Sequence, residues 1–446
     1  MNQDLTVGNT TKKMLLFAFP LMIGNLLQQL YNIADTIIVG KFLGSNAIAA
    51  VGSAYALMIF ITSIILGLCM GSGALFSIRY GEKNFDKLKS SIFVSFLVIG
   101  GLSVLLNILS FLGIDLILRF MKIPSEIYNL MKDYTLVIFG GILGVFLYNY
   151  FSSLLRAVGN SFIPLVFLTV SVILNIFLDF ILIQKYGIKG AAYATIISQI
   201  ISGVSLSIYT FIYFPYLTPK KENRIFKKSI LKEILHFSIL TCIQQSVMNF
   251  GILMVQGLVN SFGTVVMAAF SVAVKIDSFA YMPVQDFGNA FSTFIAQNYG
   301  AKEFRRIKEG IKNAIIFSTL FSILVSIIVW VFAENLLLLF IKKEEIEILK
   351  VGIEYLHIEG AFYFGIGFLF LLYGYYRAVE KPGISVVLTI ISLGTRVVLA
   401  YVLSSFIGTK GIWWSVPIGW FLADITGIIY YFYYKNNKSS LNNIYN

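Results

Sequence analysis

The chain has 446 residues, of which 58% are hydrophobic and only 13% are charged, and its mean hydropathy is +0.83. Soluble domains contain roughly 45–50% apolar and 25% charged residues, so the composition excludes a soluble globular protein and indicates an integral membrane protein. The formal net charge of +12 would suit a nucleic-acid-binding protein, but the placement of the positive residues gives them another role.

Apolar runs of about 20 or more residues recur along the whole chain, and each can cross a hydrocarbon core about 30 Å thick as an α-helix. A transmembrane β-barrel would instead show segments of about ten residues with alternating polarity, which the sequence lacks. We therefore predict an all-α polytopic membrane protein with twelve transmembrane helices. The predicted spans are residues 14–40, 46–78, 90–115, 127–155, 161–184, 188–214, 233–259, 264–299, 310–333, 348–376, 382–407 and 411–434.

Lys and Arg residues are distributed unevenly between the loops on the two sides. The side with both termini carries about twice as many of them as the opposite side. Because positively charged loops are translocated poorly, both termini and the basic loop 220–232 are predicted to be cytoplasmic. The net charge is therefore a topology signal, and we expect no nucleic-acid partner.

The sequence contains an internal repeat. The segment YGEKNFDKLKSSI from Tyr80 is echoed by YGAKEFRRIKEGI from Tyr299, 219 positions later, and RAVGNSFIPLV from Arg156 is echoed by RAVEKPGISVV from Arg377, 221 positions later. Because six helices return the chain to the same side of the membrane, the two six-helix lobes are parallel repeats. Transporters that are built from repeats of this kind bind substrate near the membrane midplane, between the repeats.

The repeat predicts three parts: an N-lobe at 1–218, a cytoplasmic linker at 219–236 and a C-lobe at 237–446. The linker contains apolar residues among six basic ones. This composition is typical of an interfacial amphipathic helix, and it is equally consistent with a solvated basic loop.

The first span carries a polar stripe. Gln28, Tyr31, Asn32 and Asp35 follow an i, i+3, i+4, i+7 pattern and so share one helix face. A carboxylate at membrane depth costs several kcal/mol unless it is protonated, paired or facing water, so Asp35 is a candidate functional residue.

The fifth and sixth spans carry further polar stripes, which suggest a hydrophilic cavity in the first half. The fifth includes a second carboxylate. The members are Ser171, Asn175 and Asp179 on the fifth span and Thr195, Ser198, Gln199 and Ser202 on the sixth.

The repeat provides an internal control for the two carboxylates. Asp35 corresponds to Met254, and Asp179 corresponds to Ala400. A restriction to one half favours a specialised ion site over a role in the fold, although structural hydrogen bonding remains the alternative. Hard oxygen ligands suit either a proton or Na⁺, and residue types do not distinguish the two.

The second half has its own ionisable residues within predicted spans. Asp277, Asp286 and Glu359 are candidates for a substrate cavity, while Lys275, Arg396 and Asp424 have no assigned role. Lys275 and Asp277 are two positions apart and do not share a helix face, so their partners are expected elsewhere.

The sequence has no GxxxxGK[ST] phosphate loop and no HExxH, CxxC or GxSxG motif. We therefore expect neither an enzyme nor a cofactor. Two repeats with buried carboxylates and no nucleotide site favour a secondary transporter driven by an ion gradient.

The segments QQLYNIADTIIVGKFLGSNAIAAVG and FAYMPVQDFGNAFSTFIAQNYGAK, with the paired RAVGN and RAVEKPG turns, resemble the MATE (multidrug and toxic compound extrusion) family over nearly all of residues 10–434. The chain looks most similar to bacterial MepA-like and DinF-like members. The resemblance implies two V-shaped lobes that alternate between outward- and inward-open states, in a bacterial cytoplasmic (inner) membrane.

The resemblance also implies export of cationic or amphiphilic small molecules in exchange for Na⁺ or H⁺. In DinF-like members the ion site combines a first-helix Asp, a fifth-helix Asn-x-x-x-Asp and a sixth-helix Thr, which match Asp35, Asn175, Asp179 and Thr195. Residues 237–259 lack the seventh-helix acid of NorM-like members, which favours the N-lobe as the ion site.

We therefore predict a monomeric, cation-coupled multidrug exporter in a lipid bilayer. A flippase or exporter of a lipid-linked or polysaccharide precursor is the first alternative, although such proteins usually hold several cationic residues in the cavity. A non-transporting membrane scaffold or receptor is the second, and it would not need a pair of acids restricted to one repeat.

Overall fold

The computed structural model describes residues 4–121 and 123–442, and within them the regular secondary structure is helical, without β-strands. The predicted all-α polytopic fold is confirmed. The α-helices are α1 Thr10–Leu43, α2 Ser45–Gly81, α3 Phe85–Phe120, α4 Ser125–Phe139, α5 Ile142–Ala157, α6 Phe162–Tyr186, α7 Ile188–Tyr213, α8 Lys228–Asn260, α9 Thr264–Gly300, α10 Phe304–Val331, α11 Ala333–Leu338, α12 Ile346–Gly360, α13 Tyr363–Ala378, α14 Pro382–Ile407 and α15 Thr409–Asn442.

Ten helices of the described chain are long and apolar enough to cross a membrane, and two bent helix pairs raise the number to as many as twelve. The pairs are α4 with α5, bent by 46°, and α12 with α13, bent by 50°. They occupy the predicted spans 127–155 and 348–376, which are therefore broken rather than continuous. The breaks, at 140–141 and 361–362, are repeat-equivalent.

The backbone follows the repeat at the residues with left-handed conformations. Lys83 and Lys302 have φ of 56° and 59°, at equivalent positions in the two YG loops. Gly44 and Gly263 form a second such pair, Gly159 and Glu380 a third, and Gly187 and Gly408 a fourth. Because left-handed conformations are uncommon outside glycine, this agreement supports the repeat independently of apolar composition.

Close backbone contacts also recur. An added Cβ would lie 2.1 Å from the Leu182 carbonyl oxygen at Gly190, and 2.3 Å from the Leu403 carbonyl carbon at Gly411. These glycines let α7 begin against the end of α6, and α15 against the end of α14. The α6–α7 hairpin brings the polar stripes of the fifth and sixth spans onto neighbouring helices.

The chain divides into two compact units. Unit 1 comprises Met1–Ser246 with Ala296–Arg306, and unit 2 comprises Val247–Ile295 with Ile307–Asn446. The lobe boundaries taken from the repeat remain a prediction, because this division follows packing: the start of α8 and the end of α9 pack within unit 1.

The linker does not form an amphipathic helix before Lys228. Residues 221–223 form one 3-10 turn, and 224–227 continue in a non-helical conformation. The turn is fixed by Asn223, whose side chain accepts a bond from the Lys220 amide (3.2 Å) and donates to Asp86 (3.4 Å). Pro219 disfavours the helical conformation of the preceding Thr218, which is extended with φ of −70° and ψ of 122°.

Glycines set the approach of α2 to α8 in unit 1. An added Cβ at Gly67 would lie 2.5 Å from the Cys242 Cα, and one at Gly71 would lie 2.3 Å from the Phe237 carbonyl oxygen. The small-xxx-small spacing of Gly67 and Gly71 thus marks a real helix contact.

Gly81 and Gly300 are repeat-equivalent and make reciprocal contacts. An added Cβ at Gly81 would lie 1.9 Å from the Gln297 carbonyl oxygen, and one at Gly300 would lie 2.0 Å from the Ile78 carbonyl oxygen. We expect Gly81→Ala to lower stability by about 1–3 kcal/mol, because the backbone must move. Thermal unfolding in detergent measures the effect.

Gly394→Ala is the matched control, since Gly394 is also helical and an added Cβ there meets no atom within 4 Å. Equal melting temperatures for Gly81→Ala and Gly394→Ala would contradict the packing argument.

Candidate functional site

Three helices of unit 1 bring the predicted ion-site residues together. Asp35 lies on α1, Asn175 and Asp179 on α6, and Thr195 on α7. All four are buried: their exposed fractions are 7%, 2%, 0% and 9%, respectively. The four-residue spacing of Asn175 and Asp179 places both on the α6 face that meets α1 and α7.

Asp35 and Asp179 lie against each other. Their carboxyl groups are close enough to share a hydrogen bond when one of them carries a proton. When both are ionised, neither can donate, and Asp35 Oδ1 and both Asp179 carboxylate oxygens then have no hydrogen-bond partner in the described structure. The buried pair is therefore stable only with a neutralising proton or cation.

The Thr195 hydroxyl connects the neighbouring polar groups. Its Oγ1 donates to the Ala191 carbonyl oxygen (3.1 Å), and it accepts from the Asn175 amide nitrogen (3.3 Å). Because the single hydroxyl proton is used on Ala191, the Tyr31 hydroxyl at 3.2 Å must be a donor to Thr195. The Asn175 Oδ1 oxygen remains without a donor.

The site combines four buried acceptor oxygens that lack donors: Asp35 Oδ1, Asn175 Oδ1 and the two carboxylate oxygens of Asp179. Within the described residues, no Lys or Arg side chain is close enough to contribute to the electrostatics of the aspartate pair. The compensating positive charge must therefore come from solution. Oxygen ligands of this kind can accept either a proton or a hard monovalent cation.

Two tyrosines near the site were not singled out from the sequence. The Tyr55 hydroxyl on α2 accepts a bond from the Asn32 amide (3.2 Å), and the buried Tyr134 on α4 lies beside both aspartates and Tyr31. Neither occurs in a polar stripe. Their positions depend on how α2 and α4 pack, which helical spacing within one span does not reveal.

Other residues of the predicted stripes satisfy helix packing instead. The Ser171 hydroxyl on α6 donates to the Ser198 carbonyl on α7 (3.1 Å), and the Ser198 hydroxyl donates to Ala194 (2.8 Å). Gln28 is exposed and Gln199 is half-buried. The predicted polar residues thus have two roles: some form the compact acidic site, and the serines form hydrogen bonds within α7 and between α6 and α7.

A second ionisable cluster lies in unit 2. The buried Asp277 on α9 and Glu359 on α12 are close enough to interact, and the positive charge of Arg396 on α14 acts on both. Tyr355 and Tyr363 lie beside Asp277, and Trp413 packs against Tyr355 with ring centroids 5.0 Å apart. Two acids and one base leave this cluster one positive charge short.

The remaining charged residues of the second half lie apart from this cluster's core. Lys275 is exposed, so Arg396 rather than Lys275 is the cation near Asp277. Asp424 on α15 is buried, and both its carboxylate oxygens lack a hydrogen-bond partner in the described structure. Asp286 lies on α9 and is half-buried.

The described residues hold no group of three or more His, Cys, Asp or Glu side chains arranged to bind a metal ion. Together, the multi-span helical fold, the internal repeat and the buried acidic site define the chain as a polytopic membrane protein of the transporter type.

Comparison with known proteins identifies the family. The MatE family model matches residues 20–181 and 238–402, one segment in each repeat. The chain belongs to the MatE family, and the predicted membership of the MATE transporters is confirmed.

Curated relatives cover more than nine-tenths of the chain. The chain is 32% identical over 434 residues to the probable multidrug resistance protein YpnP of Bacillus subtilis, with 96% of each chain covered. It is 26% identical over 421 residues to the multidrug export protein MepA of Staphylococcus haemolyticus, with 91% of this chain and 90% of MepA covered.

Solved structures show the same fold. A MOP superfamily transporter from Pyrococcus furiosus has a TM-score of 0.90, and a multidrug resistance MATE family transporter in an outward-facing conformation has a TM-score of 0.89. Each is 24% identical to this chain, with 96% of both chains covered.

The Asp35–Asp179 pair predicts ion-dependent stability. A proton or cation that binds the folded site but not the unfolded chain stabilises the protein, by about 1.4 kcal/mol for each tenfold rise in concentration above its dissociation constant. We expect the wild-type melting temperature to rise with Na⁺ or on acidification from about pH 8 to about pH 6, and Asp179→Asn to lose most of that response.

Asp115→Asn is the control, because Asp115 is half-exposed and pairs with Lys132 at 2.6 Å, away from the site. It should respond as the wild type does. An identical response of Asp179→Asn and the wild type would contradict the pair's need for an ion.

The acidic cluster in unit 2 predicts that the stability of the folded protein depends on Arg396. Removing this half-buried cation in Arg396→Gln leaves Asp277 and Glu359 without compensation, and we expect a loss of about 1–3 kcal/mol of stability. The double variant Arg396→Gln/Glu359→Gln should recover much of it. Additive losses in a double-mutant cycle of melting temperatures would contradict the electrostatic coupling.

Proposed function

We propose that this protein exports cationic or amphiphilic small molecules across the bacterial cytoplasmic membrane in exchange for Na⁺ or H⁺. The observation that carries the proposal is the buried Asp35–Asp179 pair: Asp35 Oδ1 and both Asp179 carboxylate oxygens have no hydrogen-bond partner, and no basic side chain lies nearby among the described residues. A site that must take its positive charge from solution is suited to exchange that charge between two aqueous sides.

The ion gradient supplies the energy for export. A monovalent cation that enters the cell releases about 2.3 kcal/mol for each 100 mV of membrane potential, in addition to its concentration gradient. Alternating access couples this entry to export when the ion and the substrate favour opposite conformations. The names of the relatives YpnP and MepA support a drug-like substrate.

The residues of unit 1 have distinct proposed roles. Asp35 and Asp179 exchange the ion, Asn175 supplies an additional oxygen, and Thr195 fixes the orientation of Asn175 and Tyr31 through its hydroxyl group. Binding of the ion removes the repulsion between the carboxylates and draws α1 and α6 together. Release of the ion reverses both effects.

Aromatic residues near the acids favour organic cations as substrates. Tyr31, Tyr55 and Tyr134 surround the acidic site on three different helices. Aromatic faces attract cations by about 0.5–2 kcal/mol, and the carboxylates provide the counter-charge. A flippase for a pyrophosphate-linked lipid would need cationic residues, which the acidic site does not provide.

Efflux from proteoliposomes tests the proposal. We expect ethidium or a fluoroquinolone to be transported when a Na⁺ or H⁺ gradient is imposed separately, and we expect Asp35→Asn and Asp179→Asn each to reduce gradient-driven transport at least about tenfold, because each leaves no exchangeable charge pair. Asp115→Asn should transport normally.

The two possible failures have different meanings. Wild-type transport that is indifferent to both gradients would refute ion coupling. Full gradient-driven transport by both aspartate variants would instead refute the assignment of the site.

A further inference from the structure

The C-terminal ends of α2 and α9 cross in unit 1, next to the start of α8 and the segment before α1. We propose that this crossing carries two repeat-related latches, an ionic latch between side chains and a backbone latch built on bonds to main-chain groups, which hold the first repeat to the second and must open in each transport cycle. Only the opening in each transport cycle rests on the proposed transport function. The positive residues predict that this end is cytoplasmic.

The crossing itself follows the repeat. Gly81 on α2 contacts Gln297 on α9, and the equivalent Gly300 on α9 contacts Ile78 on α2, the equivalent of Gln297. Each contact therefore maps onto the other when the repeats are exchanged. A local two-fold relation of this kind predicts that other interactions at the crossing also occur in pairs.

The ionic latch joins α2 to α8. The buried Arg79 guanidinium binds Glu82 one turn away, at 2.9 and 3.0 Å from its two carboxylate oxygens. Its other terminal nitrogen binds the Glu233 carboxylate on α8. Arg79 thus holds the end of the first repeat's second helix to the start of the second repeat's first helix.

The backbone latch joins the end of α9 and the start of α10 to the segment that precedes α1. The Leu5 amide donates to the Gln297 side chain (3.2 Å), and the Leu5 carbonyl accepts from Asn298 (3.1 Å) and from Arg306 (3.0 Å). Arg306 also donates to the Gly8 carbonyl (2.7 Å). Gln297 in turn donates to the Ala157 carbonyl at the end of α5 (2.7 Å).

The two latches occupy equivalent positions with different chemistry. Asn298 is the repeat equivalent of Arg79, 219 positions later, and α1 and α8 begin at Thr10 and Lys228, 218 positions apart. In each repeat the end of the second helix therefore contacts the beginning of the other repeat's first helix: α2 contacts the first turns of α8, and α9 contacts the segment just before α1. One contact uses an ion pair, and the other uses bonds to backbone carbonyl and amide groups.

This difference gives the latches different sensitivities. The side chains of Glu82 and Glu233 are 31% and 42% exposed, so dissolved salt screens the ionic latch. Bonds from Asn298 and Gln297 to the backbone of Leu5 carry little such dependence. Opening this end separates α2 from the start of α8, and α9 from the segment before α1, and both sets of bonds must then exchange with water.

Double electron–electron resonance on full-length protein tests the latches. Spin labels at Lys87 and Arg305, in a Cys69→Ser/Cys242→Ser background, report the separation of the two repeats at this end. We expect Glu233→Gln and Arg306→Gln each to raise the fraction of longer label-to-label distances about threefold over the labelled protein without either substitution. The double variant should raise this fraction about tenfold. Because Arg306 is adjacent to one label, its effect is repeated with labels at Lys87 and Lys308.

Lys132→Gln is the control, because it removes an exposed ion pair with Asp115 elsewhere in unit 1. A second arm raises salt from about 50 mM to about 500 mM, which should open the wild type and Arg306→Gln but not Glu233→Gln. Distance distributions of the double variant equal to those of Lys132→Gln would overturn the proposal. So would equal salt responses of the wild type and Glu233→Gln.

The measurement uses neither substrate nor an ion gradient. A protein that fails to export drugs yet shows the expected distance changes would refute the proposed function alone. A protein that exports drugs with unchanged distances would refute the latches alone.

Discussion

The structure of the candidate site depends on one constraint: two carboxyl groups lie in contact, buried, with no basic side chain nearby in the part of the chain that the structure describes. Asp35 and Asp179 cannot both be ionised there without a compensating charge. A permanent partner such as Lys or Arg would satisfy them and would also make the site inert. Its absence keeps the neutralising charge exchangeable, and Thr195 holds Asn175 and Tyr31 in place while that charge changes.

The second acidic cluster shows the opposite solution. Asp277 and Glu359 have the positive charge of Arg396 near them, and the rings of Phe270 and Trp413 pack against Tyr355. A built-in cation compensates one of the two acids, so this cluster depends less on a dissolved ion than the Asp35–Asp179 pair does. The two units therefore differ in chemistry although their helices correspond, which agrees with an ion role for unit 1 and a different role for the charged residues of unit 2.

The sequence predicted the helical fold, the repeat and the grouping of the four candidate ion-site residues, because each depends on helical spacing or on a direct match. The stripe from Gln28 to Asp35 shows the limit of this reasoning. Its spacing places the residues on one helix face but does not show which neighbour each one meets, so the roles of Tyr55 and Tyr134 and the packing role of Ser171 were not predicted. The linker was predicted only by composition, and Asn223 decides its conformation by contacts with Lys220 and Asp86.

The repeat also explains why the acids can be confined to one half. Close contacts at Gly190 and Gly411, and at Gly81 and Gly300, occur in both repeats and need no side chain from the ion site. The frame is therefore specified by glycines and left-handed turns that the repeats share. Met254 and Ala400 stand where the acids would be in the second half, and the frame is kept there without them. A site that the fold does not require can change its chemistry in one repeat, and under the proposed function this asymmetric chemistry on a symmetric frame would let one ion act on one unit alone.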